Sequence, residues 1–145
     1  MTRALGVGKE TTFGQDVALS EYTDIISESM KAERSIIADP TVGVLGLSKP
    51  SPGVFKIGGG FKFFAEPENM GLLLLALFGS GSDTPTLLET SCYKHTYTPQ
   101  VTPQWLTGAI ITDVTAGQKT VPGMTIKKAT FNFGANQKVL VEMDY

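Results

Sequence analysis

The sequence predicts a mainly β domain of the α+β class, antiparallel strands with a single α-helix. Apolar and polar residues alternate with a period of two over 54–65 and again over 138–145. Only 66–79 carries both a helix start and a helix stop. Composition leans the same way. Among 145 residues there are 17 threonines and 8 phenylalanines, types that suit a pleated, half-buried surface.

Residues 1–20, rich in glycine, threonine and polar groups, read as an N-terminal arm with a short strand. Over 21–37 a strand is preferred to a helix. Met30, Ala32, Arg34 and Ile36 share one face, whereas a helix would gather only Ile25, Ser29 and Ala32 into a poor stripe. Residues 38–53 hold Pro40, Gly43, Gly46, Pro50, Pro52 and Gly53 and read as a long loop. That loop also carries Val42, Val44, Leu45 and Leu47, which a solvated connection does not need. It is expected to fold against something.

From Val54 to Ala65 the chain reads as one half-buried strand, with Phe55, Ile57, Phe61 and Phe63 on one face and Lys56 and Lys62 on the other. Gly58-Gly59-Gly60 inside it signals a bulge, a bend or a close backbone approach. The helix follows. Pro67 stands at its first position, Glu68 in its first turn, and Gly79 at its end. Leu72, Leu73, Leu74, Leu75, Leu77 and Phe78 occupy every side of it. Either the chain wraps this helix completely or a neighbouring copy covers its outer face, which Leu73, Leu74, Leu77 and Phe78 would supply.

Residues 80–91 read as loop, with Gly81, Asp83 and Pro85. Cys92–Thr98 reads as a short strand and 105–114 as another, with Trp105, Ile110, Ile111 and Val114. Gly117 and Pro122-Gly123 mark turns. Met124–Phe133 and Lys138–Tyr145 read as a hairpin around Gly134-Ala135-Asn136. In its second strand Val139, Val141 and Met143 face one way, Glu142 and Asp144 the other.

Several function classes fall away. The net charge of −2 is too balanced for a nucleic-acid grip or a polybasic membrane anchor. One cysteine, Cys92, and one histidine, His95, cannot make an internal disulfide or a Cys/His zinc cage. No secretory h-region opens the chain, and the apolar run Met70–Phe78 is far short of a membrane span. The sequence reads as a soluble protein made in a reducing cytoplasm.

Gly6-Val7-Gly8-Lys9 lacks the leading glycine and the hydroxyl residue of a phosphate loop, where Arg3 and Glu10 stand instead. Nothing completes a dinucleotide fingerprint after the glycine triple, and no serine sits in a nucleophile elbow. No catalytic, cofactor or metal residue is expected. The residues point to surfaces rather than chemistry. The rival reading is a small-ligand module, with Phe55, Phe61, Phe63 and Trp105 lining a pocket.

Four stretches resemble the tail tube (major tail) proteins of long-tailed bacteriophages. They are Gly6-Val7-Gly8-Lys9-Glu10-Thr11-Thr12-Phe13-Gly14; Ser27-Glu28-Ser29-Met30-Lys31-Ala32-Glu33-Arg34; Gly60-Phe61-Lys62-Phe63 through Glu66-Pro67-Glu68-Asn69-Met70-Gly71-Leu72-Leu73-Leu74-Leu75; and Tyr93-Lys94-His95-Thr96-Tyr97-Thr98-Pro99. Their order and spacing carry the likeness over residues 6–99; beyond 105 it is one of pattern only.

The resemblance implies a β-sandwich or half-open barrel with one flanking helix, a single tail-tube-like domain over 1–145. It implies a virion structural protein, not an enzyme, built in the host bacterial cytoplasm. Its rings stack into a hollow tube that delivers double-stranded DNA. Tape-measure, tail-tip and tail-terminator proteins are the implied partners, with no cofactor and no membrane binding. The loop 38–53 is the implied reach to the next ring, through Val42, Val44, Leu45 and Leu47. The related tube of contractile and secretion systems shares the fold and is the alternative. The strand pattern is still running at Tyr145. A complete chain implies hexameric rings; the first half of a two-domain chain implies trimeric ones. A lumen that must not hold DNA calls for acidic or neutral side chains, and Glu142 and Asp144 are expected there.

Overall fold

The computed structural model describes residues 3–37, 51–111 and 119–145. In chain order the elements are β1 (Ala4–Lys9), β2 (Glu21–Glu28), β3 (Lys31–Ile37), β4 (Ser51–Gly58), β5 (Gly60–Phe64) and α1 (Pro67–Phe78), then β6 (Asp83–Glu89), β7 (Cys92–Tyr97), β8 (Leu106–Ile111), β9 (Lys119–Met124), β10 (Lys128–Asn132) and β11 (Leu140–Asp144). The protein is thus mainly β with one helix, and its sheets are antiparallel and do not close into a barrel. This is the sandwich-like arrangement expected.

Seven strands form one sheet in the order β10-β11-β5-β2-β1-β8-β9. Its midpoint is β2. Glu21–Asp24 pair with β1, whereas Ile25–Glu28 pair with β5, with an irregularity between Ile25 and Ser27. A bulge of this kind sharpens local twist, so the two halves of the sheet meet where β2 changes partner. The pairs β3–β4 and β6–β7 stand apart as two-stranded ribbons.

The sheet has a clean inner face, as period-two alternation requires. Leu5, Val7, Ile25, Phe61, Phe63, Val141 and Met143 form one buried cluster with Leu72, Leu73 and Ala76 of α1. Cross-strand register explains the match: Phe63 lies opposite both Val141 and Ile25, and Phe61 opposite Met143. At roughly 25 cal/mol per Å2 of apolar surface, each such side chain contributes about 1.5–3 kcal/mol.

The helix begins and ends where the sequence places it. Asn69 is the anchor at its start. Its Oδ1 accepts the Glu66 N–H at 3.0 Å, and its Nδ2 donates to the Phe64 carbonyl at 3.0 Å. These bonds fasten the first turn to the end of β5. At the other end Gly79 takes φ +100° and donates its N–H to the Leu75 carbonyl at 2.9 Å.

Several expectations need correction. The segment 1–20 is more than an arm, because β1 lies between β2 and β8 with Leu5 and Val7 buried. The strand over 21–37 is two strands, broken at Ser29-Met30. The strand over 54–65 also breaks, at Gly59. There a Cβ would come within 2.4 Å of the Ser29 carbonyl oxygen, the close approach that the glycine triple signals. Residues 51–53 of the expected loop belong to β4, and the rest of that loop lies outside the described residues. The loop expected over 80–91 contains β6. The turn expected at Pro122-Gly123 lies within β9, and residue 117 is outside the described set.

Candidate assembly surfaces

Except for Ile57, which packs against the core, the described apolar side chains of the two ribbons stay outside it. All seven residues of β3 are exposed. On this ribbon Ile36 is 73% exposed and Val54 65%, and Ile37 and Phe55 are also open to solvent. Register places Arg34 opposite Phe55 and Ile36 opposite Pro52. The second ribbon exposes Leu87, Leu88 and Tyr93, with Leu87 and Tyr93 directly paired. A lone two-stranded ribbon is at best marginally stable in water. Scattered exposed hydrophobics need no explanation, but grouped ones mark a contact surface.

The foot of the β6–β7 ribbon leans on the helix. Tyr97 stacks on Phe78 with ring centroids 5.8 Å apart and donates its hydroxyl to the Gly71 carbonyl at 3.3 Å. His95 Nδ1 lies 2.8 Å from Asp83 Oδ2. Burial raises the Tyr97 phenol pKa, and the carboxylates of Asp83 and Glu21 add to it. Burial likewise raises Glu21, partly opposed by the Leu72 N–H. One oxygen of each acid, Glu21 Oε2 and Asp83 Oδ1, is buried with no hydrogen-bond partner among the described residues.

Of the four residues expected on an inter-subunit helix face, Leu73 is misplaced. It is 0% exposed, enclosed by its own chain's sheet. Leu74, Leu77 and Phe78 are half-buried, and Phe78 is partly covered by Tyr97. Val42, Val44, Leu45 and Leu47 lie outside the described residues. Phe55, Phe61 and Phe63 do not line one pocket: Phe61 and Phe63 are in the core and Phe55 is on the ribbon. Trp105 meets Phe13 edge-on at 5.5 Å.

Glu142 and Asp144 do share the outer face of the sheet, opposite Lys62 and Gly60 on one side and Thr130 and Lys128 on the other. That face is mixed rather than acidic. Lys62 Nζ is 2.6 Å from Glu142 Oε1. Beside the pair, a shallow cleft of about 510 Å3 is lined by Ile26, Phe64, Phe133, Leu140 and Lys138. Lys138 reaches Glu66 at 2.9 Å.

Sequence reasoning missed the β6 strand. Thr84, Thr86 and Leu87-Leu88 are β-formers, but Pro85 and the neighbouring glycines read as punctuation. Proline is tolerated because a ribbon strand has a free side.

Among the described residues no group of three or more His, Cys, Asp or Glu side chains could hold a metal, and no helix is long and apolar enough to cross a membrane. Cys92 is exposed at the ribbon tip. A search of curated proteins finds no match to the sequence. The family model described as phage tail tube protein, in contrast, matches residues 2–145. That match spans the sheet, the helix and both ribbons, and the chain belongs to the phage tail tube protein family.

Proposed function

We propose that copies of this chain join side by side into rings, and that the rings stack into the hollow tube through which phage DNA is delivered. Family membership makes the chain a structural protein of the virion tail and a unit of a multi-subunit tube. The supporting observation is the β3–β4 ribbon, exposed on β3 along its whole length and carrying Ile36, Ile37, Val54 and Phe55 in the open. Burying such residues against another copy removes apolar area from water and gives the ribbon the packing it lacks.

Three surfaces have roles in this reading. The segment 38–50, which links β3 to β4 in the chain, reaches the next ring through Val42, Val44, Leu45 and Leu47. The open side of α1, Leu74, Leu77 and Phe78, contacts a neighbour in the same ring. The outer sheet face with Glu142 and Asp144 lines the lumen. Lys62 and Lys128 balance those two acids, so the wall offers phosphate no one-sided cationic surface. Six copies close a ring of single-domain subunits, and three close one if the domain is half of a longer chain. Tape-measure, tip and terminator proteins complete the assembly.

Electron microscopy of the purified protein tests the reading. Rings or tubes are expected, alone or when seeded by a tail tip. A monomer at every concentration, seeded or not, overturns it. Leu45→Asp with Leu47→Asp is expected to block stacking while leaving the subunit folded. Tubes of normal length would overturn the loop's role.

A further inference from the structure

Glu10 is the one charged side chain that is buried among the described residues, at 2% exposure. A carboxylate out of water is costly unless its oxygens are hydrogen-bonded. Here three donors converge on it. Oε1 accepts the Thr107 hydroxyl at 2.8 Å and the Gly123 N–H at 2.8 Å; Oε2 accepts the Gly14 N–H at 2.9 Å. The Glu10 backbone is fixed as well. Its N–H donates to the Trp105 carbonyl at 3.0 Å, and its carbonyl accepts Gln104 Nε2 at 2.9 Å.

Two of these donors flank a fault in the β8–β9 ladder. Leu106 pairs with Met124 and Gly108 with Val121. Thr107 alone therefore faces two residues, Pro122 and Gly123, and the strand bulges there. Gly123 sits at φ +76°, a conformation that favours glycine, and a Cβ there would meet the Phe13 ring at 2.9 Å. The bulge frees the Gly123 N–H from the ladder, and Glu10 Oε1 takes it together with the hydroxyl of the residue opposite. The carboxylate plugs the bulge.

A bulge and a proline are two ways in which an edge strand is kept from pairing with another chain. In this sheet β9 has both at one end, whereas β10, Lys128-Ala129-Thr130-Phe131-Asn132 at the other end, has neither a proline nor a glycine.

We propose that Glu10 is a positioning residue that locks the β9 edge against strand pairing, so that a ring joined through the main chain sets β10 of one copy against an exposed ribbon strand of the next. The lock stands on the β8–β9 geometry; its consequence for direction rests on the assembly reading above.

Amide hydrogen exchange tests it on the wild-type chain and on Glu10→Gln. In the wild type, the Gly123 amide is expected to exchange slowly although it lies outside the ladder; free exchange overturns the lock without any variant being made. In Glu10→Gln an NH2 replaces one acceptor oxygen, and exchange at Gly123 or Gly14 is expected to quicken by about tenfold or more, with the Phe63 and Val141 amides unchanged. The variant is also expected to form thioflavin-positive aggregates at concentrations where the wild type stays clear. Unchanged exchange and unchanged clarity overturn the proposal.

In assembled wild type, protection is expected to rise at β10 and not at β9. A rise at β9 overturns the direction while leaving the tube standing. A wild type that never assembles, with Gly123 protected and the variant aggregating, sinks the tube reading and supports the lock.

Discussion

Lys62 on β5 and Glu142 on β11 are directly opposed in the ladder, and their side chains meet at 2.6 Å on the outer face of the sheet. The two side chains keep 45% and 37% of their exposure, so water and salt screen the pair. Replacing Lys62 by alanine is expected to cost less than about 1 kcal/mol of subunit stability. The loss should shrink further in high salt. Urea unfolding at two ionic strengths checks this. Under the proposed lumen assignment the electrostatic effect belongs to the assembled wall, where an unpaired Glu142 would make that face more negative.

Phe55 and Phe63 fall on the same side of one alternating pattern, yet Phe55 is 58% exposed and Phe63 0%. Phe63→Ala is expected to cost about 3–5 kcal/mol in the isolated subunit. Phe55→Ala should stay within about 0.5 kcal/mol there and should instead weaken assembly. Denaturant unfolding of the monomer beside sedimentation of the polymer separates the two effects.

Gly59 marks the crossing between the β3–β4 ribbon and the main sheet. It sits at φ +153°, and its carbonyl accepts the Tyr145 N–H at 3.0 Å. A side chain there meets the Ser29 carbonyl, so Gly59→Ala is expected to lose more than about 1 kcal/mol. Gly71, whose Cβ would meet nothing within 4 Å, is the control. Gly71→Ala in the helix should gain up to about 1 kcal/mol. Thermal melts of the two variants give opposite signs if this is right.

Burial, helped by the nearby Glu28 carboxylate, pushes the Tyr145 phenol up to about 12, and Tyr97 is raised in the same direction. Above pH 10 the unfolded chain releases these protons while the folded chain still holds them, so stability falls as pH rises. The loss attributable to Tyr145 should develop between pH 10 and about 12. Tyr145→Phe is expected to remove that part of the alkaline slope. Denaturant midpoints across this range test it.

The sequence shows what can be buried, and the structure shows what is. Pro67 and Gly79 frame α1 because each has a local backbone reason to stand there. Val141 and Met143 against Glu142 and Asp144 were readable because β11 has a core on one side only. Phe55 and Phe61 look alike to a periodicity argument; only the strand beside each one, β3 or β11, separates surface from core. The same limit placed Leu73 on an outer face, since a helix apolar on every side does not say which side turns inward. Glu10 stands in the sequence as a residue that spoils a phosphate loop and as part of the N-terminal family-like stretch, and neither points to burial. Gly14 is four residues away, but its other two partners, Thr107 and Gly123, are about a hundred residues away in the chain, where no local pattern reaches.

The partner change along β2 has a mechanical meaning. Among the described residues, the eight residues of β2 are the one main-chain hydrogen-bonded route from the β10 end of the sheet to the β9 end. A load carried along one half reaches the other through these backbone bonds and through residues 125–127, the covalent link from β9 to β10, and the irregularity between Ile25 and Ser27 marks where the first of these routes changes partner.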